Sequence, residues 1–235
     1  AECVDCNRYP SYEKVYYSRK QFKKAKGTEI GENILLDLFS KNGFTIISPE
    51  QLTLDEQIAV VRNTKLLCGI IGTLGHNMLF AKPEQHMILV NKTHNINVAQ
   101  MDINKMKNLD MTYIDSYLAE FPSLIGNGPF LITYSEKLNQ YVERHNWKKP
   151  AEDVIRETVL KRNLQEYEEM YRSRNLKNLR LVYEKNPDRF DYFAPDHLLE
   201  LEMRFYHLEH PATMREKIFY QYNRVKRAFR RIVKR

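Results

Sequence analysis

Residues that could bind phosphate stand where an apolar run of the sequence ends. Ser18 and Arg19 close the β-branched and aromatic run Lys14 to Ser18, which is typical of a β-strand. A guanidinium at that point can bind two phosphate oxygens at once. The same stretch also fits a solvated basic loop, because several lysines follow it: Lys20, Lys23, Lys24 and Lys26. The residue types alone leave both interpretations open.

A second group is the glycine turn Gly72-Thr73-Leu74-Gly75-His76-Asn77, which follows the apolar run Leu66 to Ile71. Glycines let the backbone approach a ligand closely, and the start of a helix favours an anion. His76 and Asn77 add side-chain donors. The turn is neither a P-loop nor a G-x-G-x-x-G. The alternative is a tight turn in which Asn77 caps a helix, but its place after a buried strand favours ligand binding.

Carboxylates form the third group, which consists of Glu32, Glu50 and Glu56 with the neighbouring Gln57. A glutamate after a strand could bind ribose hydroxyls, or act as a base if its pKa were raised. Glu32 and Glu56 fit equally well in the first turn of a helix. There is no Ser-His-Asp triad and no metal-ligand cluster. The pair Cys3 and Cys6 lacks the further ligands of a zinc site, so we expect no metal.

The elements that must position these residues alternate along the first half of the chain. Strands are predicted at Lys14–Ser18, Phe44–Ser48, Leu66–Ile71 and His86–Val90, with further candidates at Met111–Ile114 and Phe130–Thr133. Helices are predicted at Gly31–Asn42, from the capping box Thr53-Glu56 to near Arg62, and near Asn77. This order predicts an α/β fold with a Rossmann-like, doubly wound parallel sheet. Ligands of such sheets bind beyond the carboxyl ends of the strands.

The character of the sequence changes after about Ser135, where helical patterns rich in Glu, Lys, Arg and Tyr take over. We therefore predict a Rossmann-like domain over residues 1–134 and an α-helical region over residues 135–235. Over residues 214–235 an apolar stripe with aromatics is flanked by nine Lys and Arg residues. Such a basic amphipathic helix suits an anionic membrane surface. The alternatives are a helix packed on the protein or a contact with nucleic acid.

The charge of the chain suits an anionic partner, and its hydropathy predicts no membrane-spanning helix. The net charge is +7 and the sequence pI about 9.1, which suits phosphates or an anionic membrane. No run approaches the roughly 20 apolar residues that a membrane-spanning helix needs.

Taken in order, the pieces between residues 14 and 92 resemble glycosyltransferase family 61. The segments that carry the resemblance are Ser18-Arg19, Gly31-Glu32, Gly43-Phe44, Pro49-Glu50, Glu56-Gln57, Gly72-Thr73 through Asn77, and Leu79-Phe80. The chain departs from the family pattern at four positions: Gly31 stands for Asn, Ile71 for His, Thr73 for Ala and His76 for Thr.

The resemblance implies an inverting enzyme of GT-B architecture that uses a nucleotide-diphosphate-sugar donor without requiring a metal. The matched segment would be the C-terminal, donor-binding domain, with Arg19 and the Gly72–Asn77 turn on the diphosphate. The implied donor-binding residues are Ser18, Arg19, Glu32, Gln57, Gly72, Thr73, Gly75, His76 and Asn77. His76 and Glu50 are the implied catalytic residues of this chain. The acceptor domain would lie in a preceding domain or on a partner chain.

These inferences give a leading hypothesis and two alternatives. The chain is expected to transfer a sugar to a glycan or lipid-linked acceptor in surface or capsular polysaccharide biosynthesis. We expect it in the cytoplasm, associated peripherally with the membrane through residues 214–235, and without a nucleic-acid partner. The first alternative is a non-catalytic nucleotide-sugar-binding or scaffolding subunit of a membrane polysaccharide assembly. The second is a basic nucleic-acid-binding protein, whose binding would fall steeply with salt.

Overall fold

The computed structural model describes residues 4–22, 27–83, 85–95, 97–119, 126 and 128–174. Contacts divide the chain into two units, Ala1–Asn175 and Leu176–Arg235, and every described residue lies in the first. The predicted amphipathic helix at 214–235 lies outside the described residues, as do Cys3, Lys23, Lys24 and Lys26. The predicted domain boundary after residue 134 stays a prediction.

The described elements alternate between helix and strand from Asn33 to Asp115. The strands are β1 (Tyr12–Tyr17), β2 (Glu29–Ile30), β3 (Thr45–Ile47), β4 (Thr64–Ile70), β5 (His86–Asn91), β6 (Asp110–Asp115), β7 (Tyr117–Leu118) and β8 (Phe130–Ile132). The α-helices are α1 (Asn33–Lys41), α2 (Leu54–Asn63), α3 (Val98–Lys107), α4 (Glu136–Arg144), α5 (Glu152–Ile155) and α6 (Glu157–Arg174). Three 3-10 helices cover Cys6–Arg8, Pro49–Gln51 and Thr73–Phe80.

Five strands form one sheet in the order β3-β1-β4-β5-β6, and every neighbouring pair is parallel. The predicted α/β class and parallel sheet are therefore confirmed. The chain passes from β1 to β3 on one side and then to β4 on the other side of β1. The carboxyl ends of β1 and β4 consequently meet at a point where the strand order reverses, which is the usual ligand crevice of open α/β sheets.

Both faces of this sheet are buried under helices. On one face Tyr16 and Cys68 pack with Leu35 and Leu38 of α1 and with Leu138 of α4. On the other face alternate residues of the same strands pack against α2, α3 and the 3-10 helix Thr73–Phe80. Since successive side chains of a strand point to opposite faces, these near-continuous apolar strands contribute side chains to both hydrophobic cores.

A second, three-stranded sheet has the order β2-β8-β7, with β2 parallel and β7 antiparallel to β8. The register pairs Glu29 with Phe130 and Ile30 with Leu131. The sequence predicted a strand at Phe130 but none at β2 or β7, because two residues give no periodicity. This small sheet fixes the backbone that carries Glu29.

Local signals mark most element ends, with one correction. The capping box is confirmed, since Thr53 Oγ1 accepts from Glu56 N and Glu56 Oε2 accepts from Thr53 N at 2.7 Å. The short helix predicted near Asn77 is instead the 3-10 helix Thr73–Phe80, which begins directly after Gly72. The alternative in which Asn77 caps this helix is therefore wrong.

Two glycines with positive φ allow a direct test of the turn between β2 and α1. Gly31 has a φ of 88° and Gly43 a φ of 78°, so alanine at either position costs about 1–2 kcal/mol. A methyl group at Gly31 would also collide with the carbonyl oxygen of Ile132, whereas at Gly43 it meets nothing within 4 Å. We expect Gly31→Ala to lower the free energy of unfolding more than Gly43→Ala in chemical denaturation. Equal losses would contradict the close approach of Gly31 to β8.

Candidate active site

Three adjacent parallel strands deliver polar residues to one point at their carboxyl ends. Arg19 follows β1, Gly72 follows β4 and Lys92 follows β5. A Cβ placed on Gly72 would lie 3.7 Å from Arg19 Nη1 and 3.9 Å from Lys92 Nζ. The position that a side chain would occupy at Gly72 therefore faces two cations. We call Arg19, Glu29, Gly72 and Lys92 the switch-point cluster.

One carboxylate joins the two cations of the switch-point cluster. Glu29 Oε1 lies 2.6 Å from Lys92 Nζ and 3.1 Å from Arg19 Nε. The Arg19 Nε–H is not aligned for a hydrogen bond, so that contact is an ion pair only. The side chains of Lys92, Glu29 and Arg19 are 3%, 5% and 12% exposed. The cluster itself holds two cations and one carboxylate, and a second carboxylate, Glu32, also acts on Lys92. At this low exposure cations attract an anion more strongly than they would in water.

Lys92 is held by its surroundings on several sides. Its ammonium lies 4.2 Å from the centroid of the Phe130 ring in addition to its contact with Glu29. Burial lowers the pKa of Lys92, and the ion pair and hydrogen bond with Glu29 oppose that shift. Glu29 therefore helps to keep the buried amine charged.

Glu32 fixes the backbone at the end of β1. Its Oε1 accepts hydrogen bonds from Arg19 N at 2.9 Å and from Tyr16 OH at 3.1 Å. Burial raises the pKa of Glu32, while the hydrogen bonds from Arg19, Ser18 and Tyr16 act in the other direction. The structure thus places Glu32 beside the switch-point cluster in a positioning contact, and its predicted donor-binding role stays a prediction.

Ser18 belongs to the same group of residues. Its backbone N–H donates to Ile47 O at 2.9 Å, and its Oγ accepts from Lys20 N at 3.1 Å. Ser18 therefore ties the end of β1 to β3 and shapes the turn that carries Arg19. The structure brings Ser18, Arg19, Glu32 and Gly72 together, and their predicted role in donor binding stays a prediction.

The remaining predicted residues form separate contacts. Asn77 Nδ2 donates to Gln57 Oε1 at 3.3 Å, which links the 3-10 helix Thr73–Phe80 to α2. His76 Nε2 lies 3.0 Å from Nδ2 of Asn97, the residue that caps α3. The structure thus pairs Gln57 with Asn77 and sets His76 against the start of α3.

Three other predicted residues have no role in those pairs. Thr73 is exposed, and Gly75 is buried against the side chain of Gln100. Glu50 is exposed in the 3-10 helix after β3. Among the described residues, no hydrogen bond or ion pair joins Glu50 to the switch-point cluster.

A cleft of about 550 Å³ opens beside the switch-point cluster. Arg19, Glu29 and Glu32 line one part of it, and Arg162, Asn163 and Glu166 from α6 line another. A cleft of this size is within the range that holds small ligands in proteins. Its mixture of charged and amide groups offers both donors and acceptors to a polar ligand.

Neither a metal cluster nor a membrane-spanning helix occurs in the described part of the chain. No group of three or more His, Cys, Asp and Glu side chains there could hold a metal ion. No described helix is long and apolar enough to cross a membrane. Cys6 and Cys68 are free thiols, and Cys68 is buried in β4.

Residues 1–88 match the family model described as Glycosyltransferase 61. This match marks the chain as a glycosyltransferase. The matched segment contains Arg19, Glu29, Glu32 and Gly72, so it includes most of the switch-point cluster, and it ends before Lys92. A glycosyltransferase implies a nucleotide-sugar donor and a glycan acceptor. Comparison with curated proteins and with solved structures gave no significant match.

Two members of the switch-point cluster were missing from the predicted site. Lys92 lies directly after the apolar run His86–Val90, so the strand-end rule that selected Arg19 and Gly72 also points to it. Glu29 carried no such signal, because its strand has two residues and pairs with Phe130 about a hundred positions away. Long-range pairing of this kind cannot be read from local periodicity.

The raised pKa of Glu32 predicts a pH dependence of stability. Unfolding returns this carboxyl to its ordinary value near 4.5, so above that pH the folded state binds more protons than the unfolded state. The free energy of unfolding must then fall as pH rises towards the folded pKa. We expect Glu32→Gln, which cannot titrate, to remove this fall in denaturant titrations from acid to neutral pH.

The exposed residue Glu13, which pairs with Lys65, provides a matched control. Glu13→Gln leaves Glu32 in place and should keep the fall in stability above pH 4.5. If Glu32→Gln and Glu13→Gln give the same pH profile, Glu32 does not titrate as its burial requires.

Proposed function

We propose that this chain provides the donor-binding domain of an inverting glycosyltransferase. It transfers a sugar from a nucleotide-diphosphate donor to a glycan or lipid-linked acceptor in surface or capsular polysaccharide biosynthesis. The observation that carries this proposal is the pair of largely buried cations, Arg19 and Lys92, that face Gly72 at the switch point of a parallel sheet. The family match supports the class of reaction.

In this proposal the donor diphosphate lies against Gly72. Arg19 Nη1 and Lys92 Nζ approach it from two sides, and a side chain at Gly72 would fill the same space. Transfer of the sugar leaves a nucleoside diphosphate with additional negative charge. Two cations fixed at the end of a rigid sheet stabilise that charge without reorganising during the reaction. This role needs no metal ion.

The cleft beside the cluster extends the donor site. Arg19 lines both the cleft and the space at Gly72, so a diphosphate bound there directs one end of the donor into the cleft. Asn163 and Glu166 of α6 then lie where they can contact hydroxyl groups. The predicted residues Thr73, His76 and Asn77 of the 3-10 helix, together with Gln57 of α2, would form the opposite wall, with Gly75 buried behind it against Gln100.

The remaining parts of the proposal concern the whole enzyme. In a GT-B architecture a second Rossmann-like domain holds the acceptor, and we place it in a preceding domain or on a partner chain. Residues 214–235 would hold the enzyme peripherally at the cytoplasmic face of a membrane through their basic amphipathic pattern.

Calorimetric titration with a panel of nucleoside diphosphates and nucleotide sugars tests the donor site. We expect selective binding by the native chain and binding weakened roughly tenfold to a hundredfold by Arg19→Ala, since a hydrogen bond to a charged group contributes about 1.5–3 kcal/mol. His76→Ala tests the contribution of the 3-10 helix in the same way. Arg8→Ala is the control, because Arg8 is 82% exposed and pairs with Asp5.

The outcomes separate the proposed function from the alternatives. Binding that ignores the nucleotide and falls steeply with salt would indicate a nucleic-acid-binding protein. Selective binding without hydrolysis or transfer of the sugar, in an assay that includes the acceptor domain, would indicate a non-catalytic subunit. If Arg19→Ala binds as tightly as the native chain, the donor is not held at the switch-point cluster.

A further inference from the structure

The two cations of the switch-point cluster present different atoms to Glu29 and to Gly72. Arg19 meets Glu29 through Nε, while its Nη1 is the atom nearest to Gly72. Lys92 contacts Glu29 with one of its three N–H groups and also approaches Gly72. A ligand at Gly72 therefore does not need the Arg19 nitrogen that faces Glu29. Glu29 can stay in place while an anion binds.

We propose that Glu29 is a positioning residue whose negative charge is required for anion binding at Gly72. One of its carboxylate oxygens holds Arg19 and Lys92 together and leaves their remaining N–H groups for the ligand. The inference rests on the proposed function, because the anion in question is the donor diphosphate. Glu29 itself makes no contact with the ligand in this arrangement.

The need for a negative charge in an anion site follows from the burial of Lys92. The charged groups that act on its ammonium are Glu29 on β2, Arg19 after β1 and Glu32 before α1, and the ring of Phe130 on β8 lies against it. Burial and Arg19 lower the pKa of Lys92, whereas Glu29 and Glu32 raise it. Without the charge of Glu29 the pKa of Lys92 falls further, so at a given pH a larger fraction of the amine is neutral and no longer attracts phosphate.

If Glu29 instead competed with the ligand, removing its charge would change the affinity for anions in the opposite direction. If Glu29 occupied the place of the diphosphate, removal of its charge would free both cations and tighten anion binding. A purely structural role gives a third pattern, because glutamine matches the shape of glutamate better than the shorter aspartate does. A charge role makes aspartate the better substitute.

The experiment uses the full chain and inorganic pyrophosphate, titrated calorimetrically at a series of pH values up to about 10, where lysines titrate. We expect Glu29→Gln to weaken pyrophosphate binding at least about tenfold at neutral pH, the size of one charge-assisted contact. Its binding should also disappear at a lower pH than that of the native chain. Glu29→Asp should restore most of the pH profile, and Glu13→Gln, in an exposed pair with Lys65, is the matched control.

A double variant isolates the protonation of Lys92. Arginine stays charged throughout this pH range, so Glu29→Gln with Lys92→Arg should bind pyrophosphate at alkaline pH, where Glu29→Gln alone does not. A second measurement needs no ligand. The ¹³Cε resonance of Lys92 should titrate at a lower pH in Glu29→Gln than in the native chain.

Each outcome decides the inference. Binding by Glu29→Gln that equals or exceeds native binding at every pH overturns it, as does an unchanged titration of Lys92. Better binding by Glu29→Gln than by Glu29→Asp also overturns it, in favour of a role of shape. If Arg19→Ala weakens binding while Glu29→Gln does not, only the role of Glu29 fails. If the native chain binds neither pyrophosphate nor nucleoside diphosphates, the proposed donor site and this inference fail together.

Discussion

The site depends on two largely buried cations that share one carboxylate oxygen. Taking a charged group out of water costs several kcal/mol after relaxation, and a single well-placed partner offsets this only with good geometry. Glu29 Oε1 meets that condition for Lys92 at 2.6 Å and serves Arg19 as well. The rest of the site therefore depends on how accurately the fold holds Glu29. The pairing of β2 with β8 fixes the backbone that carries Glu29. The hydrogen bond from Arg19 N to Glu32 fixes the backbone of Arg19.

The sequence alone predicted the scaffold and half of the cluster. The apolar runs at β1, β4 and β5 are long enough to show that they are buried, and the capping box at Thr53 fixed the start of α2. The rule that ligands bind at the carboxyl ends of parallel strands then selected Arg19 and Gly72 without knowledge of strand order. These signals succeeded because each depends on a few consecutive residues whose physical preferences agree.

Interactions between distant parts of the chain account for what the sequence did not show. Glu29 reaches Lys92, 63 positions later, only because the second sheet brings β2 alongside β8. The contributions of Arg162 and Glu166 to the cleft depend on where α6 packs, which helical periodicity cannot give. The 3-10 helix after Gly72 was predicted as a shorter helix starting later, because its residues lack the 3.6-residue pattern that marks an α-helix. In each case tertiary packing determines the structure, and the local sequence pattern carries no signal for it.

The direction of attack in the proposed inverting reaction bears on the catalytic base. An inverting transfer requires the acceptor hydroxyl to approach the sugar on the face opposite the leaving diphosphate. Arg19, Gly72 and Lys92 would hold that diphosphate at the carboxyl edge of the sheet. Glu50 follows β3 at the same edge, and with strands about 4.8 Å apart it stands about 14 Å across the sheet from the strand that carries Lys92. His76 lies in the 3-10 helix that begins after Gly72 and contacts Asn97. In the proposed GT-B architecture, a base carried by the acceptor domain would approach the sugar from the side that the mechanism requires.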